Sequence, residues 1–517
     1  MEFEQASFLQ EMQEHGHARE LGHLENYFTL CQRQDLYSNF SMYCELSNSC
    51  TVDELAYALR TICLQNPILV HTVIPRNWPD HASFYASEEF LSKPVASHEY
   101  MRLLDSVRVS DLLMNDQEEY QEVVTKILEL FTRSGGKYTS EIFDVVSRIR
   151  VPYGDPSKPN WRILCLPGKD KNTWSKFLYI SNHCSSDGTS AVNLFKDLSA
   201  RLSKMPEVLD RSGVIFDYSA DFHRLGKLPA PIDERLDYKP PLTYLPRFFA
   251  NSFVRNRLGY YSKGPVVSRI TNPDEGNSVY SHFVHFTPGE VQAIKNKIQR
   301  QTSSHCTMTP FLQACWLVAM YKFGKVFSGS MREWFIDVVI PMHTSQLLPA
   351  DEEIRSMYRY GSNIGGTHYN YLISSLNIGN DKQAFWSLVE YYNNVFCGAK
   401  AKGDYLYPLG MLMLDAVCQK SNVDKLAVED LVGFPRQGVV LSNVGYVKQD
   451  HSIQDFRVQD LVFSQTLGSL RHSFTLSACT TDTSGMTLVM CGAYGALPTK
   501  KDWINLCELF KSEVLTI

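Results

Sequence analysis

His183-Cys184-Ser185-Ser186-Asp187-Gly188 decides how this chain is read, because these six residues stand where an apolar strand gives way to an amphipathic helix. Before them, Phe177-Leu178-Tyr179-Ile180 is a continuous apolar run suited to a buried strand. After them, Ala191, Val192, Phe195, Leu198 and Leu202 recur at the spacing of one helix face. His183 therefore falls on a short connection, where an imidazole can reach a cleft, and Asp187 can fix the loop or cap a helix beginning near Gly188. A histidine with an ordinary pKa of ~6.5 takes a proton near neutral pH with little tuning. Spacing alone leaves open a histidine that is merely packed or solvated beside a helix start.

The remaining composition narrows the class. At 517 residues the chain is long enough for two domains of roughly 200 to 250 residues each. A hydrophobic fraction of 44% and an aromatic fraction of 12% are those of a folded protein. The net charge is −6 and no block of lysine and arginine would track a phosphate backbone, so nucleic acid is not an expected partner. Lys169, Lys171 and Lys176 could meet an anionic cofactor, or simply decorate a solvated loop. The 13 cysteines form no C-x-x-C pair and no zinc spacing, which points to free thiols, a reducing compartment and no metal. Cys184 invites a nucleophile reading, but neighbours on an extended segment point to opposite sides. The first residues carry acids and no long apolar run, so a secretory leader is not expected. The apolar stretch Phe311 to Tyr321 is shorter than the ~20 residues a membrane span needs.

Along the chain, Thr51 with Glu54 forms a capping box ahead of a helix whose Leu55, Leu59, Ile62 and Cys63 share a face. "ILVHTVI" (Ile68 to Ile74) reads as a strand. Lys227 to Pro246 holds five prolines, which forbid a regular helix or a central strand and mark a crossing between halves. The expected organisation is an N-terminal half over 1–226, a Pro-rich crossover over 227–275 and a C-terminal half over 276–517. In the last, Thr287-Pro288-Gly289-Glu290 is a second capping box, and Thr309-Pro310 opens a helix apolar on nearly every side, as a core helix is.

The segment "NHCSSDGTSAVNLFKDL" (Asn182 to Leu198) resembles the His-x-x-x-Asp-Gly region of the chloramphenicol acetyltransferase-like, CoA-dependent acyltransferases, and most of all the fungal alcohol O-acetyltransferases. "GHARELGHLENYF" (Gly16 to Phe28), "PNWRILCLPGKD" (Pro159 to Asp170), "YGSNIGGTHY" (Tyr360 to Tyr369) and "VVLSNVG" (Val439 to Gly445) match in the same order. The resemblance implies an α/β fold of two chloramphenicol acetyltransferase-like domains, with mixed sheets flanked by helices and an active-site tunnel at their interface. It also implies acetyl-CoA as co-substrate, with no permanently bound cofactor, and His183 as general base. Asp187 is implied as structural support, its carboxylate turned from the reactants toward a basic partner. Where relatives place an arginine, Ile340 to Gln346 ("IPMHTSQ") has none.

Acetyl transfer also needs a donor for the tetrahedral oxyanion. Gly188, Ser442, Asn443, Ser464 and Gln465 are the candidates for oxyanion or substrate contact, the last four as short polar residues at the ends of apolar runs, where turn formation is the competing use. His17, His23 and His368 are expected to serve structural hydrogen bonds. Gly361, Gly365 and Gly366 lack the lysine and spacing of a phosphate loop and suggest a tight turn. In the last helix Trp503, Leu506, Cys507, Phe510, Val514 and Ile517 share one face, which fits either core packing or a membrane surface. The resemblance to the fungal alcohol O-acetyltransferases implies association with the endoplasmic reticulum and lipid droplets through terminal helices. The expected function is therefore acetyl-CoA:alcohol O-acetyltransferase, a monomer held peripherally on the cytosolic face of those membranes. The expected acceptors are medium-chain or branched alcohols or sterols. A lipid-like amine as acceptor, or a non-catalytic lipid-binding protein, are the alternatives.

Overall fold

The computed structural model describes residues 10–74, 100–267, 279–414 and 432–517, apart from 34–35, 38, 169, 171, 263, 304, 450–451, 454 and 469–470. Among these, ten strands build the two main sheets. They are β1 (Phe40–Cys50), β2 (Trp161–Leu166), β3 (Trp174–Ser181), β4 (Val279–Phe286), β5 (Phe335–His343), β6 (Ile364–Leu372), β7 (Val439–Tyr446), β8 (Val458–Gln465), β9 (Phe474–Thr481) and β10 (Gly485–Ala493). The first sheet runs β8-β1-β3-β2, antiparallel throughout. The second runs β6-β5-β7-β9-β10-β4 and is mixed, with β5, β7 and β9 parallel. The sheets do not divide at the Pro-rich segment: β8, late in the chain, joins the first sheet by pairing Ser464 with Ser41 and Gln465 with Phe40. Strand partners of that sequence separation leave no local signal.

Eight helices matter for the site and its support: α1 (His23–Arg33), α2 (Val52–Gln65), α3 (Gly188–Leu202), α4 (Leu245–Phe253), α5 (Pro288–Gln301), α6 (Met308–Phe323), α7 (Lys382–Lys402) and α8 (Lys500–Thr516). Both capping boxes form: the Glu54 and Glu290 carboxylates accept from the backbone N–H of Thr51 and Thr287, each at 2.7 Å, and the threonine hydroxyls accept in return. Helix α6 is buried on every side from Pro310 to Met320, as a core helix requires. The run Ile68 to Ile74 is strand only from His71, because Pro67 starts a 3-10 turn over Pro67–Val70. Within Lys227 to Pro246 the chain makes a helical turn at Ile232–Arg235 and then enters α4 at Leu245.

Helix α8 corrects the membrane reading of its apolar stripe. Trp503, Leu506, Cys507, Phe510 and Val514 are all buried in the core of the second sheet. Trp503 stacks on Phe474 of β9 with centroids 5.8 Å apart, and Trp316 of α6 meets both Trp503 and Phe510 edge-on. Its polar flank is tied down by Lys322 to Glu513 (2.9 Å) and Lys325 to Asp502 (2.6 Å). Replacing a buried aromatic by a small residue costs about 3 to 5 kcal/mol, against a total stability of about 5 to 15 kcal/mol. Trp503→Ser combined with Phe510→Ser is therefore expected to unfold or aggregate, as read by thermal melting. A folded, active double variant would restore a surface role to this face.

Candidate active site

The catalytic loop forms because β3 ends at Ser181 and α3 begins at Gly188, with Asp187 as N-cap. Gly188 is required by close approach: a Cβ there would lie 2.7 Å from Val444 and 3.2 Å from the ring of Phe463. That contact brings the start of α3 against β7 and β8. His183 is thereby carried into the space between the sheets, where its ring stacks on Phe28 of α1 (4.4 Å, 12°) beside Phe40 and Tyr37. Nδ1 is buried against the loop, whose His183 and Ser186 carbonyls face the ring, which leaves Nε2 as the nitrogen open to the cavity. Cys184 is turned the other way, its thiol donating to Asn182 Oδ1.

Asp187 is almost fully buried, and both of its carboxylate oxygens are taken up by backbone N–H groups. Oδ1 accepts from the backbone N–H of Ser190 (2.7 Å), and Oδ2 accepts from that of Asn363 (3.1 Å) in the Gly361 turn. The carboxylate thus fastens the loop of the first sheet to the turn before β6, and Ser190 Oγ donates to Gly361 O (2.9 Å) beside it. In place of an arginine, "IPMHTSQ" supplies His343 at the end of β5 as the basic neighbour, with Nε2 3.7 Å from Oδ2. His343 Nδ1 accepts from the backbone N–H of Ser345 (3.3 Å), an arrangement that leaves Nε2 to carry the proton facing Asp187.

The cavity has a volume of about 600 Å³ and is lined by both sheets. His183, Asp187, Gly188, Ser442, Asn443 and Gln465 all border it. Ser464 does not: on β8 it faces the opposite way from Gln465, and its hydroxyl is paired with Ser41 Oγ (2.7 Å) and Tyr138 OH (3.3 Å). The Asn443 side chain is occupied, Nδ2 donating to Thr309 Oγ1 (3.1 Å) and Oδ1 accepting from Gly445 N–H (2.9 Å). Ser442 and Gln465 are left as the side chains able to donate to an oxyanion. Lys176 is engaged elsewhere, donating to Gly136 O (2.9 Å) over the Phe131 ring, while Lys169 and Lys171 lie outside the described residues. His17 pairs with Tyr218 OH (3.0 Å) as a structural histidine. His368, by contrast, lines the cavity. Gly361 makes the expected turn, with φ at +120°, but Gly365 and Gly366 belong to β6, where a Cβ on Gly365 would strike the Tyr405 carbonyl at 2.6 Å.

Burial lowers the His183 pKa below its ordinary value, while the Asp187 charge pushes it up and the backbone carbonyls of His183 and Ser186 add to that upward push. A base acts in its neutral form, so activity should persist as pH falls through ~6.5 and fail only below it. The acid limb of kcat/KM is expected to have its midpoint under that value. Removing the Asp187 charge should move it lower still. A midpoint above ~6.5 would contradict this environment for the ring.

Residues 20–514 match the profile of the alcohol acetyltransferase family. The chain belongs to that family. It is 41% identical to alcohol O-acetyltransferase 2 of Saccharomyces cerevisiae over 97% of this chain and 96% of that protein, and 37% identical to alcohol O-acetyltransferase 1 of the same yeast over 99% and 97%. Among solved structures it is similar to the trichothecene 15-O-acetyltransferase of Fusarium sporotrichioides (TM-score 0.61, 11% identity, 96% and 94% coverage). It is also similar to the condensation domain of the Monacolin K polyketide synthase (TM-score 0.52, 11% identity, 96% of both chains). At these identities the structures establish the fold: two domains of sheets flanked by helices, here an antiparallel first sheet and a mixed second one. This alcohol acetyltransferase therefore holds its histidine at the meeting of those two sheets.

Proposed function

We propose that this enzyme transfers acetyl from acetyl-CoA directly to medium-chain or branched alcohols, with sterols within its range, using His183 as general base. The observation that carries this reading is the open Nε2 of His183 in a largely apolar cavity, with the one carboxylate of its loop turned into the backbone. Nε2 takes the alcohol proton as the oxygen bonds to the acetyl carbonyl carbon. Ser442 and Gln465 meet the oxyanion that forms. Collapse breaks the C–S bond, and the imidazolium returns its proton to the departing thiolate, so no covalent enzyme intermediate is required. Phe28, Tyr37 and Phe40 wall the ring and exclude water that would hydrolyse the thioester. The apolar walls favour an acceptor hydrocarbon.

Among the described residues no helix is long and apolar enough to cross a membrane. Attachment at the endoplasmic reticulum or lipid droplets is proposed as peripheral, through a surface other than the buried stripe of α8, with the protein a monomer. The test is release of free CoA thiol with a panel of alcohols and amines, with products identified chromatographically. Acetate esters in step with thiol support the reading. Amides in their place would make it an N-acetyltransferase, and no transfer to either would refute the proposal.

A further inference from the structure

The floor of the cavity is the second sheet, and β5 borders it from Asp337 through Val339 and Pro341 to His343, with Ile340 and Met342 also reaching it near the His343 end. His343, at the Asp187 end, stands six positions along the strand from Asp337, which puts roughly 20 Å between them. At the Asp337 end the lining turns polar. Asp337 is 3% exposed. His368 Nε2 of β6 lies 2.6 Å from its Oδ1, and His472 Nε2, just before β9, lies 3.9 Å from its Oδ2. Arg255, in the turn Val254–Leu258 after α4, and Thr475 of β9 border the same cavity.

Nothing in the chemistry at His183 uses these groups, yet several are buried without a partner. His472 Nδ1, Arg255 Nε and Thr475 Oγ1 make no hydrogen bond among the described residues, and Thr475 is 2% exposed. Leaving a buried polar group unpaired is costly, and separate segments converging to do so in one cavity mark a place for a polar group of the ligand. Charge narrows its type. Burial pushes Asp337 up, but its neighbours, the His368 imidazole foremost and Arg255 behind it, hold it below the ordinary carboxylate range, an anion beside the Arg255 cation. Burial drives His472 down to about 4, so it is neutral. Of the other cations at the cavity, Lys400 is exposed and Arg471 lies over the Phe434 ring. The buried Asp337 carboxylate repels a carboxylate or a phosphate, the Arg255 and Arg471 cations repel an ammonium, and the mixture of donors and acceptors suits a neutral hydroxyl.

We propose that Asp337, His368, His472, Thr475 and Arg255 form a second binding subsite that takes a remote hydroxyl of the acceptor, so that the enzyme prefers long acceptors with two hydroxyl groups to monohydric alcohols of equal length. This rests on the reading of the cavity as an acceptor site. A site built to bond a hydroxyl rejects the analogue lacking it far more strongly than an apolar pocket distinguishes the two.

The test compares kcat/KM for 1-alkanols and the matching α,ω-alkanediols across chain lengths, with acetyl-CoA. At one length the diol is expected to win by about tenfold or more. Thr475→Val and Arg255→Gln should abolish that preference while leaving turnover of 1-alkanols unchanged, and Thr475→Ser should keep it. Arg255 lies on a half-exposed turn, so its variant serves should Thr475→Val fail to fold. Alkanols preferred at every length, or a diol preference that survives in both variants, would overturn the subsite and leave ordered water as the partner of these groups. Alkanol acetylation without diol preference removes the subsite alone. If neither class is acetylated, the acceptor reading falls, and the subsite is decided by whether diols raise the melting temperature more than alkanols do and lose that effect in Thr475→Val.

Discussion

His183→Ala is expected to lower the rate of acetyl transfer by roughly 10² to 10⁴, the usual contribution of a positioned general base, while the purified variant keeps a melting temperature close to that of the parent. The ring fills one wall of a cavity and stacks on Phe28, and its polar neighbours are carbonyls of its own short loop. The loop is held by Asp187, two backbone N–H groups and Ser190. Alanine therefore removes the proton acceptor and little of the scaffold. A folded variant that retains more than about a tenth of the rate would assign the base to another group.

Asp187→Asn separates support from chemistry. The carboxylate accepts two backbone N–H bonds, one capping α3 and one reaching Asn363 across the domain boundary, and it faces the His343 imidazole. An amide keeps one oxygen and turns a second donor toward a donor, so either the cap or the crossing bond is lost inside the protein. Breaking a buried charged contact in this way costs roughly 3 to 5 kcal/mol. Melting temperature and activity are expected to fall together, because His183 rides on the loop that loosens. Unchanged melting with lost activity would mean that Asp187 touches the reactants.

The local parts of this site are legible in the sequence because a strand, a short loop and a capped helix each have a local signature. Asp187 and Gly188 stand where the pattern puts the start of α3, and both capping boxes form. What fails is whatever depends on a distant partner. Ser464 and Gln465 are adjacent, and the apolar run Leu461 to Phe463 before them gives no alternation because β8 is covered on both faces. Only the pairing with β1 shows that Ser464 turns to Ser41 and Gln465 to the cavity. His343 sits in the heptapeptide that lacks an arginine, and its role needs the distance to Asp187. The stripe of α8 has a pattern that suits a lipid surface and a protein core equally, and the facing Phe474 and Trp316 decide it. Asp337 and His368 are 31 residues apart in sequence and become neighbours only when β5 pairs with β6.

Direct transfer from thioester to alcohol with His183 as the base is tested most directly by intact-protein mass spectrometry of the enzyme mixed with acetyl-CoA, before and after alcohol is added. The expected result is an unmodified chain before addition, then acetate ester and free thiol in equal amounts, with Cys184→Ala behaving the same. An acetylated chain that accumulates without alcohol and discharges its acetyl group into ester on addition would contradict it.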